Sequence, residues 1–192
     1  MTSLWFVRHG PTHQKALTGW RDVPADLSDT AQLSRINAHL PQNALLISSD
    51  LSRAIDTADA IGDGKTRLPH SPQLREFDFG SWDGKKFDEI AESDPSLSRQ
   101  FWEQPGHICP PFGESWYDVA YRVGAETDHL IDRFPGRDLI IVAHFGAILT
   151  QVARARACTP YQAFAQPIDN LSISHVKIES GNWSAGDVNF LP

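Results

Sequence analysis

Leu4-Trp5-Phe6-Val7-Arg8-His9-Gly10-Pro11 is the stretch on which the fold turns. Four consecutive apolar residues form a short run suited to a buried strand, and Gly10 and Pro11 prevent it from continuing. The strand therefore feeds a loop that opens with a guanidinium and an imidazole.

The same arrangement recurs along the chain. Ala44-Leu45-Leu46-Ile47 reads as a second buried strand, followed by Ser48-Ser49-Asp50 and a helix through Arg53 to Ile61. Leu139-Ile140-Ile141-Val142 is the strongest strand in the sequence, and it stops at His144. Helices are expected from an N-cap at Ser28 through Leu40, closed by Pro41, and from Ser115 to the breaker Phe134-Pro135-Gly136. Another should cover Ala147 to Ala157. Leu171 to Ile178 alternates like a strand with one wet face, and Asn182-Trp183 supports a closing hairpin.

Strands alternating with helices predict an α/β three-layer sandwich, with a mostly parallel central sheet covered by helices on both faces. Ligands of such sheets bind beyond the carboxyl ends of the strands. Three polar clusters fall there: Arg8-His9-Gly10, Ser48 to Arg53, and His144. No repeat or interdomain linker interrupts the pattern, so residues 1–192 are expected to form one domain. A lid-like insertion is expected at about 69–111, where Pro, Gly and Trp are frequent and two short helices fit near 87–92 and 96–103.

Composition narrows the function classes. The chain carries 24 acidic against 17 basic side chains, a net charge of -7, which opposes general attraction to nucleic acid or anionic membranes. No stretch approaches the roughly 18 apolar residues of a membrane span, and Met1 to Val7 lacks the form of a secretory signal. A cytoplasmic location is expected. Cys109 and Cys158 are too few for a disulfide framework and have no metal-knuckle or redox spacing.

The residues at the strand ends suit phosphoryl chemistry. A neutral imidazole at His9 can attack phosphorus while Arg8 stabilises the phosphoryl oxygens. Arg53 lies near a helix start, where the dipole favours an anion, and its donor fork matches two phosphate oxygens. His144 brings a second ring to the same sheet edge; taken alone it could equally be a buried histidine bonded to a backbone carbonyl. Glu76 sits among Phe77, Phe79 and Trp82, which can desolvate a carboxyl and raise its pKa toward general-acid use. Asp78 and Asp83 in the same segment compete for that role.

Together these motifs resemble the histidine phosphatase superfamily, also called phosphoglycerate mutase-like, and in particular its short phosphatase branch that includes alpha-ribazole phosphatase. The resemblance spans most of the chain. It is carried by Arg8-His9-Gly10 with Thr12, by Ser49 to Ala58 (SDLSRAIDTA), by Val142-Ala143-His144, by Leu74 to Gly84, and by Gly113-Glu114-Ser115 with Asp118. It implies His9 as nucleophile, Arg8, Arg53 and His144 as the phosphate pocket, and Glu76 as proton donor. It further implies a histidine acid phosphatase-type monoester hydrolase acting on a small phosphorylated metabolite, with no metal and no cofactor.

Thr18-Gly19-Trp20 resembles a substrate-contacting segment of the mutase branch, which makes Thr18 and Gly19 candidate substrate contacts. Lys15 and Phe145 depart from the family's usual asparagine and glycine, and both are candidates for altered specificity. Ala31 in place of a common glycine is read as local packing. Trp20, Trp82 and Trp102 lie in segments expected to overhang the site.

Three rival readings exist. Phosphoglycerate mutase-type transfer fits the motifs, but the length and the form of the acidic segment do not favour it. A metal-dependent hydrolase would place Arg8 and Arg53 beside a cation, with no closely spaced ligand pair in sight. A catalytically inactive phosphate-binding module would not need all of His9, Arg53, Glu76 and His144.

Overall fold

The structure is a computed structural model describing residues 1–192. Six strands form one sheet in the order β3-β2-β4-β1-β5-β6. These are β1 (Thr2–Arg8), β2 (Leu45–Ser48), β3 (Thr66–Arg67), β4 (Asp138–Ala143), β5 (Ile173–Glu179) and β6 (Asn182–Ala185). The strands β1 to β4 run parallel to one another, while β5 pairs antiparallel with β1 and β6 antiparallel with β5. Seven helices flank the sheet: α1 (Thr30–His39), α2 (Ser52–Ala60), α3 (Phe87–Ser93), α4 (Pro95–Glu103), α5 (Trp116–Arg133), α6 (Phe145–Arg156) and α7 (Pro160–Phe164).

Successive strand residues point to opposite faces, so each central strand supplies two cores. Leu4 and Phe6 of β1 and Leu139 and Ile141 of β4 join one cluster with residues of α4, α5 and α6. Val7, Ile140 and Val142 join the other, beneath Leu33 and Ile36 of α1 and Ala54 and Ala58 of α2. Full burial of one such Leu, Ile or Phe side chain is worth about 1.5–3 kcal/mol. The runs are continuous because both faces are covered.

Register sets the site. Arg8 pairs with Ala143, so His9 and His144 leave adjacent parallel strands at the same height. The His9 N–H donates to the Ala143 carbonyl at 3.1 Å, and the Ser49 N–H to Val142 at 3.0 Å. All three strand-end clusters thus meet at one sheet edge.

Several boundaries differ from the sequence reading. Asp29, not Ser28, caps α1, its carboxylate accepting from the Gln32 N–H, while the Ser28 N–H donates to Asp26. Helix α6 begins at Phe145 rather than Ala147, since His144 is extended and serves as the N-cap. The C-terminal strand starts at Ile173, after Leu171 turns at φ +62°. Helix α7 was not expected, although Thr159-Pro160-Tyr161-Gln162 carries its signal: a capping box with proline at the first position. Within 69–111, Leu74, Phe77, Phe79, Trp82 and Phe101 are buried in the larger core cluster.

Candidate active site

A cavity of about 540 Å³ opens at the carboxyl edge of the sheet, and Arg8, His9, Arg53 and Glu76 line it. A larger groove of about 750 Å³ between α5 and α6 contains none of them. The chemistry therefore belongs to the smaller cavity.

His9 Nδ1 lies 2.7 Å from the Gly10 carbonyl oxygen, a contact that requires Nδ1–H as donor. The neutral ring then carries its lone pair on Nε2. Burial, then Arg53, press the His9 pKa from 6.5 down to about 3, against an opposite push from the Gly10 hydrogen bond and with a smaller lowering by Arg8. At neutral pH the ring is an uncharged nucleophile that needs no base to free it.

His144 is set in the complementary tautomer. Arg53 Nε–H donates to His144 Nδ1 at 3.2 Å, leaving the proton on Nε2. That Nε2 is buried and has no protein partner, a costly condition unless a ligand supplies an acceptor. Burial and the positive Arg53 beside it hold this ring neutral as well. The two rings lie 5.0 Å apart, one offering a lone pair and the other an N–H.

Arg53 is 1% exposed and is held from three sides. Besides His144, it donates to the Gly19 carbonyl at 2.6 Å and to Arg21 at 3.0 Å. Asp83 fixes that loop by accepting from the Gly19 and Arg21 N–H groups at 3.1 and 2.9 Å. Gly19 itself is buried behind the cavity, where a Cβ would stand 2.4 Å from the Phe77 carbonyl oxygen. It positions Arg53 through its backbone and presents no side chain to a substrate. Arg8 donates to Ile168 at 2.6 Å and packs against the Phe145 ring at 5.6 Å, while its Nε has no partner.

Glu76 is the acid that reaches the cavity. One carboxylate oxygen accepts from the Phe77 N–H at 3.0 Å and from Gly146 at 2.9 Å, at the start of α6. Burial raises its pKa more than those N–H groups, Arg8 and Arg53 lower it. Gly146 is required here, because a Cβ would meet the Phe77 ring at 2.3 Å and the Glu76 carboxylate at 2.5 Å. Asp78 accepts from the Gly80 N–H, and Asp83 is committed to the loop just described. Neither lines the cavity, which removes both from the competition.

The surrounding framework supplies residues not singled out in the sequence. Arg122 makes a twofold ion pair with Glu114 at 2.8 and 2.7 Å and donates to the Glu76 carbonyl, as does Trp20 Nε1 at 2.9 Å. Asn170 holds the His9 carbonyl at 2.9 Å. Thr57 is fully buried one turn after Arg53; its hydroxyl donates to the Arg53 carbonyl and accepts from Gly10 N–H at 2.9 Å. The spacing of four within SDLSRAIDTA was the available signal. Thr57→Val is expected to cost about 1–3 kcal/mol by stranding the buried Gly10 N–H. It should also lower kcat, with both effects reversed in Thr57→Ser; an unperturbed valine variant would remove Thr57 as a positioning residue.

The remaining expected contacts separate. Thr18 and Phe145 line the cavity. Lys15 is exposed and lies outside it, whereas Gln14, Ala16 and Leu17 of the same loop line it. Trp102 lines the cavity, Trp82 is core with its Nε1–H on Asp94, and Trp20 braces Glu76 from behind. His13 bonds Asp26 at the surface, and His107 packs against Tyr117. No group of three or more His, Cys, Asp or Glu side chains is placed to hold a metal ion, and no helix is long and apolar enough to cross a membrane.

Comparison with known proteins places the chain among phosphatases of one family and fold. The family profile described as "Histidine phosphatase superfamily (branch 1)" matches residues 4–190. A bifunctional protein of Mycobacterium tuberculosis is 35% identical over 157 residues, 74% of this chain and 41% of its own. The chain thus spans about two fifths of that relative. An adenosylcobalamin/alpha-ribazole phosphatase of Salmonella typhimurium is 26% identical, covering 96% of this chain and 90% of its own. The solved mycobacterial glucosyl-3-phosphoglycerate phosphatase superposes with a TM-score of 0.86 at 26% identity, over 99% of both chains.

Proposed function

The chain belongs to the histidine phosphatase superfamily, branch 1, and from that premise we propose that it is a metal-independent phosphomonoesterase working through a phosphohistidine on His9. One observation carries the reading: the Gly10 carbonyl holds His9 as the Nδ1–H tautomer, in a cavity shared with Arg8, Arg53 and Glu76.

In this mechanism the His9 Nε2 lone pair attacks phosphorus and the ester P–O bond breaks. The proton on Glu76 passes to the departing alkoxide. Charge building on the imidazole is met by the Gly10 carbonyl, and that on the phosphoryl oxygens by Arg8, Arg53 and the unpartnered His144 Nε2–H. Water then attacks the phosphohistidine, Glu76 takes its proton, the P–N bond breaks and His9 returns to its neutral form. This is chemistry of the histidine acid phosphatase type. The partner is a small phosphorylated substrate in the cytoplasm, rather than nucleic acid or membrane, in keeping with the net charge of -7.

The test is steady-state phosphate release from a panel of phosphomonoesters with and without EDTA. Turnover unchanged by the chelator is the expected result. Turnover abolished by EDTA and restored by a divalent cation would overturn the metal-independent mechanism.

A further inference from the structure

At about 540 Å³ the cavity is larger than a phosphoryl unit needs, and much of its lining is aromatic. Phe79, Phe87 on α3, Trp102 on α4, Phe145 on α6 and Phe164 on α7 converge there from separate elements. Trp102 lies 5.7 Å from Phe87 and 5.5 Å from Phe164, ring centroid to ring centroid, so the three form a continuous surface. Phe87 is 56% exposed, a large ring left in water at the cavity mouth. The uncharged polar lining is Thr12, Gln14 and Thr18.

The cations available to a ligand are few. Arg8 and Arg53 are the only lysine or arginine side chains lining the cavity, and both stand at its phosphoryl end. Arg53 already donates to Gly19, Arg21 and His144, and Arg8 to Ile168. Lys15, the nearest candidate from the sequence, is exposed and outside. A carboxylate entering beyond the phosphoryl group would be desolvated against aromatic rings with no counter-ion, whereas a flat apolar group would gain buried area.

Resting on the phosphatase reading above, we infer that the natural substrate is a phosphomonoester whose leaving alcohol has an aromatic or apolar body and carries no carboxylate. The aromatic wall selects that body, and Phe87 is a specificity-determining residue for it.

Benzyl phosphate, glycerol 1-phosphate and 3-phosphoglycerate are all esters of primary alkyl alcohols, so comparing them separates recognition from leaving-group reactivity. The expected kcat/KM for benzyl phosphate exceeds that for 3-phosphoglycerate by about 100-fold, the scale of selection an apolar pocket achieves. Glycerol phosphate should fall between them. Phe87→Ala, at an exposed position, should lower the ratio of kcat/KM for benzyl phosphate to that for 3-phosphoglycerate by about 5-fold. Equal turnover of benzyl phosphate and 3-phosphoglycerate, or preference for the carboxylate, would overturn the inference. A benzyl preference untouched by Phe87→Ala would overturn the part assigned to that ring. His9-dependent hydrolysis of p-nitrophenyl phosphate reports the phosphatase reading separately, and its absence would overturn that reading and this inference together.

Discussion

His9→Ala loses turnover by about 10⁴-fold or more, the scale on which removing a covalent nucleophile acts. The variant should still fold, because the loop is held through its backbone: Asn170 bonds the His9 carbonyl, and Thr57 the Gly10 N–H. Rapid quench of the parent protein should reveal an acid-labile, alkali-stable phosphoenzyme that the variant cannot form. Retained turnover in the variant would remove the phosphohistidine. A second readout is stability against pH. The folded ring has its pKa pressed to about 3, below its unfolded value of 6.5. Between those values the unfolded chain binds a proton that the folded chain does not, so stability is full above about pH 6.5 and declines as pH falls toward 3. The decline in Tm from pH 7 to pH 4 should be smaller in His9→Ala; it should not vanish, because His144 is depressed in the same direction.

Glu76→Gln should lower kcat/KM by about 10²–10⁴-fold for alkyl phosphates, the usual range for a lost general acid, and much less for p-nitrophenyl phosphate. The ratio is the appropriate measure because it contains only the steps up to phosphorylation of His9. The glutamine carbonyl can still accept from the Phe77 and Gly146 N–H groups, so the fold should persist. The pH profile tests the same assignment. A general acid must be protonated, and burial raises the Glu76 pKa, so activity should persist above the ordinary carboxylate range and fall as pH rises through the elevated value. The substrate's own ionisation near about pH 6 is common to both proteins. An alkaline limb present in the parent and absent in Glu76→Gln is therefore the expected signature. Equal losses for both ester types would remove the general-acid role.

Much of this site was legible in the chain because its determinants are local. The apolar runs before Arg8 and His144 are continuous because helices cover both sheet faces, and a strand's end fixes where the next residue goes. Parallel pairing then brings His9 and His144 together without further instruction. Arg53 needed only a helix start after β2, and Ser115-x-x-Asp118 announces α5 by its capping box.

What the tertiary structure alone decided are choices between residues of the same type or the same loop. Apart from the family resemblance, which singles out Glu76, the acids Glu76, Asp78 and Asp83 compete on equal terms in the local sequence. They part only because the Gly146 N–H, 70 residues away, meets Glu76 in a buried place while Asp83 is spent on the Gly19 loop. That Gln14 rather than Lys15 lines the cavity was not legible, because an aperiodic loop has no repeat from which its orientation can be read. The tautomer of His144, set by Arg53, and the aromatic wall assembled from α3, α4, α6 and α7 likewise depend on contacts between distant segments. Strand and helix pattern are properties of neighbours along the chain; burial, protonation and pocket shape are properties of neighbours in space.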